Sequence, residues 1–246
     1  MTALLRLKDV SAGYVADIDI VRGVNVSVAA AAITGLVGLN GAGKSTLMKA
    51  ICGFLRPKAG AIEFDGVDIT GIAPHHVIDR GIWYIPQESS LFNYMSVEDN
   101  LSLPLEHLTR RGDVSRAEFY RRIADMFEKF PLLKPRRQAK AGDLSGGQQK
   151  MVEFAKAYLV RPRLCLIDEP GIGLAPKVAE EVYQWIDLFA AERMAILLVD
   201  HNVRRVVKMS AYIYVLSLGQ ITAEGRPQAF EGDLHEQVKA WLGINF

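Results

Sequence analysis

A chain of 246 residues has room for one large domain, or a domain with a subdomain, and for a sizeable core. Half of it is hydrophobic and 23% is charged, which excludes an intrinsically disordered chain. The formal net charge is +1, from 29 basic and 28 acidic residues interspersed without a basic run, so no nucleic-acid partner is implied.

From Leu4 to Val28 apolar and polar residues alternate, with turn-like interruptions at Ser11 to Gly13 and at Arg22-Gly23, which predicts short antiparallel strands. Charges at Arg6, Lys8 and Asp9, without a long apolar run and a small-residue cleavage site, give no reason to expect a signal peptide. The most apolar window, Val24 to Leu39, is broken by Asn25, Ser27, Thr34 and Gly35, so no direct membrane span is expected and any membrane role is peripheral. Ile33 to Val37 reads as an apolar strand, followed by a glycine-rich loop and a helix from about Lys44 to Phe54. Ala61 to Phe64, the Asp65-Gly66 turn and Val67 to Ile69 read as a hairpin, and Ile82 to Ile85 as a further strand.

Between about Ser96 and Ala157 the pattern is helical. Ser115 with Glu118 forms a capping box ahead of Phe119, Ile123, Met126, Phe127 and Phe130 at helical spacing. Strands and helices then alternate: strand Leu164 to Ile167, helix Lys177 to Ala190, strand Ala195 to Val199, helix Val203 to Met209, strand Ile213 to Leu216. Such alternation implies a parallel sheet flanked by helices. Ile221 to Phe246 reads as a strand and a short amphipathic helix. Cys52 and Cys165 both lie in apolar segments, so buried thiols in a reducing compartment are expected rather than a disulfide framework.

Gly38-Leu39-Asn40-Gly41-Ala42-Gly43-Lys44-Ser45 matches G-x-x-x-x-G-K-[ST] and sits between an apolar strand and a helix, as a phosphate loop requires. Its glycines allow the backbone to curl with N–H groups inward, and the helix beginning near Lys44 adds a positive dipole end. Lys44 would reach the β- and γ-phosphates of ATP and Ser45 Oγ would ligate Mg2+, with Thr46 beside it counted among the nucleotide-binding residues. Leu164-Cys165-Leu166-Ile167-Asp168-Glu169 delivers two carboxylates to the carboxyl edge of the sheet, where open α/β sheets bind ligands. Asp168 would hold magnesium and Glu169 would orient or deprotonate an attacking water. Taken alone, a strand ending in acids is also a common structural feature.

Leu144-Ser145-Gly146-Gly147-Gln148 opens another helix and resembles the signature sequence of ABC (ATP-binding cassette) ATPases, in the matching order between phosphate loop and acidic strand. On the residues themselves, Ser145 and the N–H groups of Gly146 and Gly147 make a second anion site at a helix N-terminus. The resemblance covers essentially the whole chain. It implies a single ABC ATPase domain over 1–246: an α/β P-loop NTPase (RecA-like) core, an antiparallel β subdomain, and an α-helical subdomain inserted at roughly residues 90 to 160. It also implies a head-to-tail dimer with a second ABC ATPase subunit, in which Ser145 to Gln148 cap the γ-phosphate held by the opposite phosphate loop.

Three single residues follow from the resemblance. Gln87 is similar to the glutamine that touches magnesium and the lytic water, His201 to the switch histidine contacting the γ-phosphate, and Tyr14 to the aromatic that stacks on adenine. Without the family they would read as a surface glutamine, a structural histidine and an edge-strand tyrosine. Departures are visible too: Ala175 stands where many members have Asp, Leu39 replaces a common proline, and Ala29 to Ala32 replaces a glycine-containing turn.

Glu169-Pro170-x-x-Gly173-Leu174-Ala175-Pro176, with Phe130-Pro131-x-Leu133, is similar to ATPases of branched-chain amino-acid uptake transporters, whereas Tyr84-Ile85-Pro86-Gln87-Glu88 is also similar to those of lipopolysaccharide export. The resemblance therefore implies an ATP hydrolase working with transmembrane permease subunits on the cytoplasmic face of the inner membrane. Soluble ABC ATPases acting on DNA or ribosomes carry a long coiled coil or two cassettes, and neither is present. A nucleotide sensor without turnover would lack the carboxylate that Glu169 provides.

Overall fold

The computed structural model describes residues 3–230. They pack into two compact units. The first takes the described residues up to Tyr84, then Arg163–Glu169, then those from Ala190 onward; the second takes Ile85–Pro162 and Pro170–Phe189.

The first unit holds two sheets. β1 (Ala3–Ala12), β2 (Val21–Ala29), β4 (Ala59–Phe64) and β5 (Val67–Asp68) form an antiparallel sheet in the order β2-β1-β4-β5. Arg22-Gly23 proves to be a bulge inside β2 rather than a break between strands. Val10 pairs with Val24 and Ala12 with Val21, so the extra residue is absorbed where Gly23 adopts φ 57°. Asp65 and Gly66 both take positive φ, 52° and 75°, the geometry of a two-residue hairpin whose twist matches its strands.

The other sheet combines β3 (Ile33–Val37), β6 (Ile82–Ile85), β7 (Leu164–Asp168), β8 (Ala195–Val199), β9 (Tyr212–Ser217) and β10 (Gln220–Gly225) in the order β10-β9-β3-β8-β7-β6. β9, β3, β8 and β7 run parallel, and β10 joins as an antiparallel edge. Every residue of β3, β7 and β8 is buried, which explains why these strands read as predominantly apolar stretches rather than alternating ones. α1 (Lys44–Ile51) follows β3, and α2 (Pro74–Asp79), begun by a proline at its first position, was not legible because six residues carry too little periodicity. α7 (Val203–Met209) packs on β3 at Gly35, where a Cβ would come 2.2 Å from Val206 Cγ1. Beyond β10 the chain makes a 3-10 turn at Pro227–Phe230; the short amphipathic helix expected toward Phe246 falls outside the described residues.

The second unit contains α3 (Val97–Arg111), α4 (Arg116–Lys129), α5 (Gly146–Val160) and α6 (Pro176–Ala191) up to Phe189. The capping box expected at Ser115 is only half made. Ser115 Oγ accepts from the Glu118 N–H at 3.2 Å, but the Glu118 carboxylate is taken by Arg121 and Arg122, the nearer cations on its own helix. The reciprocal box forms instead at the start of α5. An aromatic chain holds this unit together: Phe130 lies 5.9 Å from Tyr158 and 5.8 Å from Trp185, and Phe154 lies 5.4 Å from Trp185 and 5.5 Å from Phe189, centroid to centroid. Phe154 is fully buried. Phe154→Ala is expected to destabilise the unit by about 3–5 kcal/mol, read as a lower midpoint in guanidinium unfolding, and a change below about 1 kcal/mol would show that this chain is not a core.

Candidate functional site

The parallel register decides which residues share an edge. Leu36 of β3 pairs with Val199 of β8, and Val199 pairs with Asp168 of β7. The carboxyl ends of these strands therefore release Gly38, Asp200 and Glu169 within one residue of the same level of the sheet. The phosphate loop and the acidic pair do not stand on neighbouring strands, since β8 runs between them and contributes His201.

Gly38 follows β3 where a side chain has no room: a Cβ would lie 2.3 Å from the Leu216 carbonyl oxygen. Asn40 and Gly41 are exposed at the loop's bend, Ala42 is buried, and Gly43 caps α1 at φ 107° with no side chain closing the helix end. The N–H groups of the first turn, at Lys44, Ser45 and Thr46, lack intrahelical carbonyl partners. No acidic residue in that turn offsets their partial positive charge. This is a ready site for phosphate oxygens.

Lys44 is buried and its ammonium makes three contacts. It donates to the carbonyls of Gly38 at 2.9 Å and Leu39 at 3.0 Å and pairs with Glu169 Oε1 at 3.1 Å. Glu169 adopts φ 43°, the left-handed region that a residue with a side chain seldom enters, and its N–H is held by the Val199 carbonyl at 2.8 Å.

Asp168, at the last position of β7, is buried. Its Oδ2 accepts from the Tyr84 hydroxyl at 3.1 Å, while Oδ1 is buried without a hydrogen-bond partner. Burial raises the carboxyl above the usual carboxylate range, against the opposing pull of the Ser45 and Tyr84 hydroxyls. Burial together with the nearby Asp168 charge also drives the Tyr84 hydroxyl and the Cys52 thiol well above their ordinary values. A partnerless carboxylate oxygen beside a serine hydroxyl is the donor set that an oxygen-seeking divalent cation takes, particularly one that completes its shell with water and phosphate. Among the described residues no cluster of three or more His, Cys, Asp or Glu side chains forms a self-sufficient metal cage. Nothing in the sequence around Tyr84 marks it for this chemistry except its place next to the end of β6.

His201 is exposed, with Nδ1 3.5 Å from Asp200 Oδ1, and buried Asp200 accepts from the Asn202 N–H at 2.8 Å. Tyr14 lies in a bend after β1 rather than in an edge strand, with its ring exposed and Lys49 Nζ 5.5 Å from its centroid. The loop after it is clamped by Lys58, whose ammonium donates to the carbonyls of Val15, Ala16 and Ile18 and to Asp19 Oδ1. The first unit thus brings together Gly38 to Thr46, Asp168, Glu169 and His201.

Gln87 and Ser145 to Gln148 belong to the second unit. Gln87 is exposed. Ser145 caps α5: its N–H donates to Gln148 Oε1 at 3.1 Å, and its Oγ accepts from the Gln148 N–H at 3.4 Å. The Gln148 side chain therefore serves the cap, leaving the N–H groups of Gly146 and Gly147 as the outward donors. Gly147 could carry no side chain, since a Cβ would meet Val178 Cγ1 at 2.5 Å.

A family model described as ABC transporter matches residues 21–171, more than half of the chain and inclusive of phosphate loop, signature and acidic strand. The chain belongs to the ABC transporter family. This ABC ATPase is 32% identical over 208 residues to the high-affinity branched-chain amino acid transport ATP-binding protein BraG of Pseudomonas aeruginosa, covering 85% of this chain and 87% of the relative. It is 36% identical over 228 residues to the lipopolysaccharide export system ATP-binding protein LptB of Acidithiobacillus ferridurans, covering 92% of each. Its fold matches the solved ATP-binding cassette MJ1267 with a TM-score of 0.82 at 30% identity, covering 98% of this chain and 99% of that one. The protein is accordingly a P-loop NTPase that binds and hydrolyses ATP.

Because Lys44 carries the only ammonium placed against Gly38 and Glu169 in the contacts described above, Lys44→Ala is expected to weaken ATP binding roughly 10- to 100-fold, the scale of charge-assisted hydrogen bonds. A fluorescent-nucleotide titration measures it, and unaltered affinity would detach Lys44 from the phosphates.

Proposed function

We propose that this chain is the motor of a membrane uptake system, converting ATP hydrolysis into movement of amino acids, branched-chain ones foremost, through permease subunits with which it assembles on the cytoplasmic face. The observation that carries the catalytic part is the meeting of Lys44 and Glu169 at 3.1 Å at the shared edge of β3, β8 and β7.

In this reading the amides of Gly41 to Thr46 and the Lys44 ammonium bind the β- and γ-phosphates. The Glu169 carboxylate, freed from Lys44 when phosphate takes that partner, orients a water and accepts its proton as the water oxygen bonds to the γ-phosphorus and the bridging oxygen leaves with ADP. Lys44 and His201 stabilise negative charge developing on the γ-phosphoryl oxygens. Ser45 Oγ and Asp168, with Gln87 by family resemblance, would hold magnesium, which when bound neutralises charge on the phosphate oxygens. Tyr14 offers its exposed face to adenine, and Ser145, Gly146 and Gly147 of a second ABC ATPase subunit supply the opposing donors. Among the described residues no helix is long and apolar enough to cross a membrane.

The likeness to BraG and the Gly173-Leu174-Ala175-Pro176 sequence support amino-acid import. A second reading, export of lipopolysaccharide, is favoured by the likeness to LptB proteins, one of them the Escherichia coli K12 protein at 34% identity. Deleting the chain from its host separates the two: import predicts lost uptake of labelled leucine with normal envelope lipopolysaccharide, and the reverse pattern would replace import by export.

Glu169→Gln should retain ATP affinity, lower turnover by roughly 10²- to 10⁴-fold, and accumulate an ATP-bound dimer in size-exclusion chromatography. Phosphate release at the wild-type rate would remove Glu169 from the mechanism. Tyr14→Ala should weaken ATP and GTP alike, because stacking uses a face every base possesses, and unchanged ATP affinity would exclude stacking.

A further inference from the structure

Helix α5 carries three buried charges that the ATPase chemistry above does not use, at Lys150, Glu153 and Lys156. Lys150 and Glu153 are 7% and 2% exposed, and their side chains pair at 2.7 Å one helical turn apart. The Lys150 ammonium has three donors. It directs the other two at the carbonyls of Pro86, 3.0 Å, and Gln87, 3.2 Å. The second carboxylate oxygen of Glu153 accepts from the N–H of Ser90 at 2.6 Å and from its hydroxyl at 3.1 Å. Both ends of the segment 86–90 are thus tied to the helix that begins with Ser145, while the Gln87 side chain is exposed and hydrogen-bonded to no described residue.

A buried ion pair is a poor source of stability, because desolvation offsets the attraction and an apolar pair of like volume is often as stable. A fully satisfied network does, however, hold backbone in one arrangement. Here what is held is the carbonyl of Gln87 itself, so the peptide plane from which its side chain departs is set while the amide stays able to reach out. Lys156, one turn further along the same helix, is also buried, and burial lowers its ammonium below the usual lysine range against the opposing attraction of Glu153.

We propose that Lys150, with Glu153, is a positioning residue that sets Gln87 for ATP hydrolysis by fixing its backbone from the signature helix. The inference rests on the reading that Gln87 serves the reaction. Substitution should leave nucleotide binding intact and slow the chemical step, since a misplacement of about 1 Å costs up to roughly 10²-fold in rate.

The test is steady-state ATPase kinetics of the full chain. Lys150→Met, which keeps the stem and removes the donors, should lower kcat roughly 10- to 100-fold with KM for ATP within about threefold. Lys150→Arg, able to reach the same carbonyls, should recover most of the rate. In amide hydrogen exchange the peptide containing Ser90 should exchange faster in Lys150→Met and as in the wild type in Lys150→Arg. Gln87→Ala combined with Lys150→Met should be no slower than Gln87→Ala alone, because both act through one group. Wild-type kcat in Lys150→Met beside a slowed Gln87→Ala would overturn the proposal and leave the role of Gln87 standing, whereas wild-type kcat in Gln87→Ala would overturn that role itself. Should Lys150→Met fail to fold, Glu153→Gln is read by the same kinetics and exchange, with kcat falling at constant KM expected and unchanged kcat overturning the proposal.

Discussion

Removing an ammonium and a carboxylate from water costs several kcal/mol per ion, and their mutual attraction offsets this only with good geometry and further hydrogen bonds. Lys44 and Glu169 meet those terms at 3.1 Å, with the Gly38 and Leu39 carbonyls completing the shell of the lysine. The surrounding structure depends on this pair being possible. The parallel register of β3, β8 and β7 brings both chain segments to one edge, the lack of a side chain at Gly38 lets the loop pass against the Leu216 carbonyl, and the left-handed turn at Glu169 points the chain away from its strand. In the proposed mechanism, nucleotide entry is an exchange of partners, in which phosphate replaces carboxylate at the same ammonium.

The neighbouring acid answers to a different constraint. Asp168 is deeper, raised by burial, and divided between a Tyr84 hydroxyl on one oxygen and no partner on the other. Two adjacent carboxylates of one strand end thus differ in their surroundings: one is neutralised by a cation of the protein, the other is left with an oxygen to offer. In the proposed mechanism it is environment, rather than residue type, that separates their tasks.

Much of this was legible in the sequence because the central strands are buried on both faces. Leu164 to Ile167 and Ala195 to Val199 read as uninterrupted apolar runs and Ile33 to Val37 as a mostly apolar one, and each is a strand with the same or nearly the same ends. Spacing within Gly38 to Ser45 likewise placed lysine and serine at a helix start. What escaped was whatever depended on competition between partners. Glu118 could have closed a capping box, yet Arg121 and Arg122 stood nearer, and Arg22-Gly23 looked like a turn although its pairing with β1 made it a bulge. Strand order is likewise a product of tertiary pairing: no local signal reveals that β8 separates β3 from β7. The Lys150 network was invisible for the same reason, since its acceptors are carbonyls some 63 positions away.

The intervening strand has a geometric corollary. Two strand spacings, roughly 9.5 Å, separate the ends of β3 and β7, and the contact between the lysine that follows one and the glutamate that follows the other is made by side chains. Aspartate at 169 would retract its oxygens by one carbon–carbon bond and ornithine-like shortening at 44 would do the same from the opposite bank. Arm length, as much as charge, is what closes the contact between these two positions.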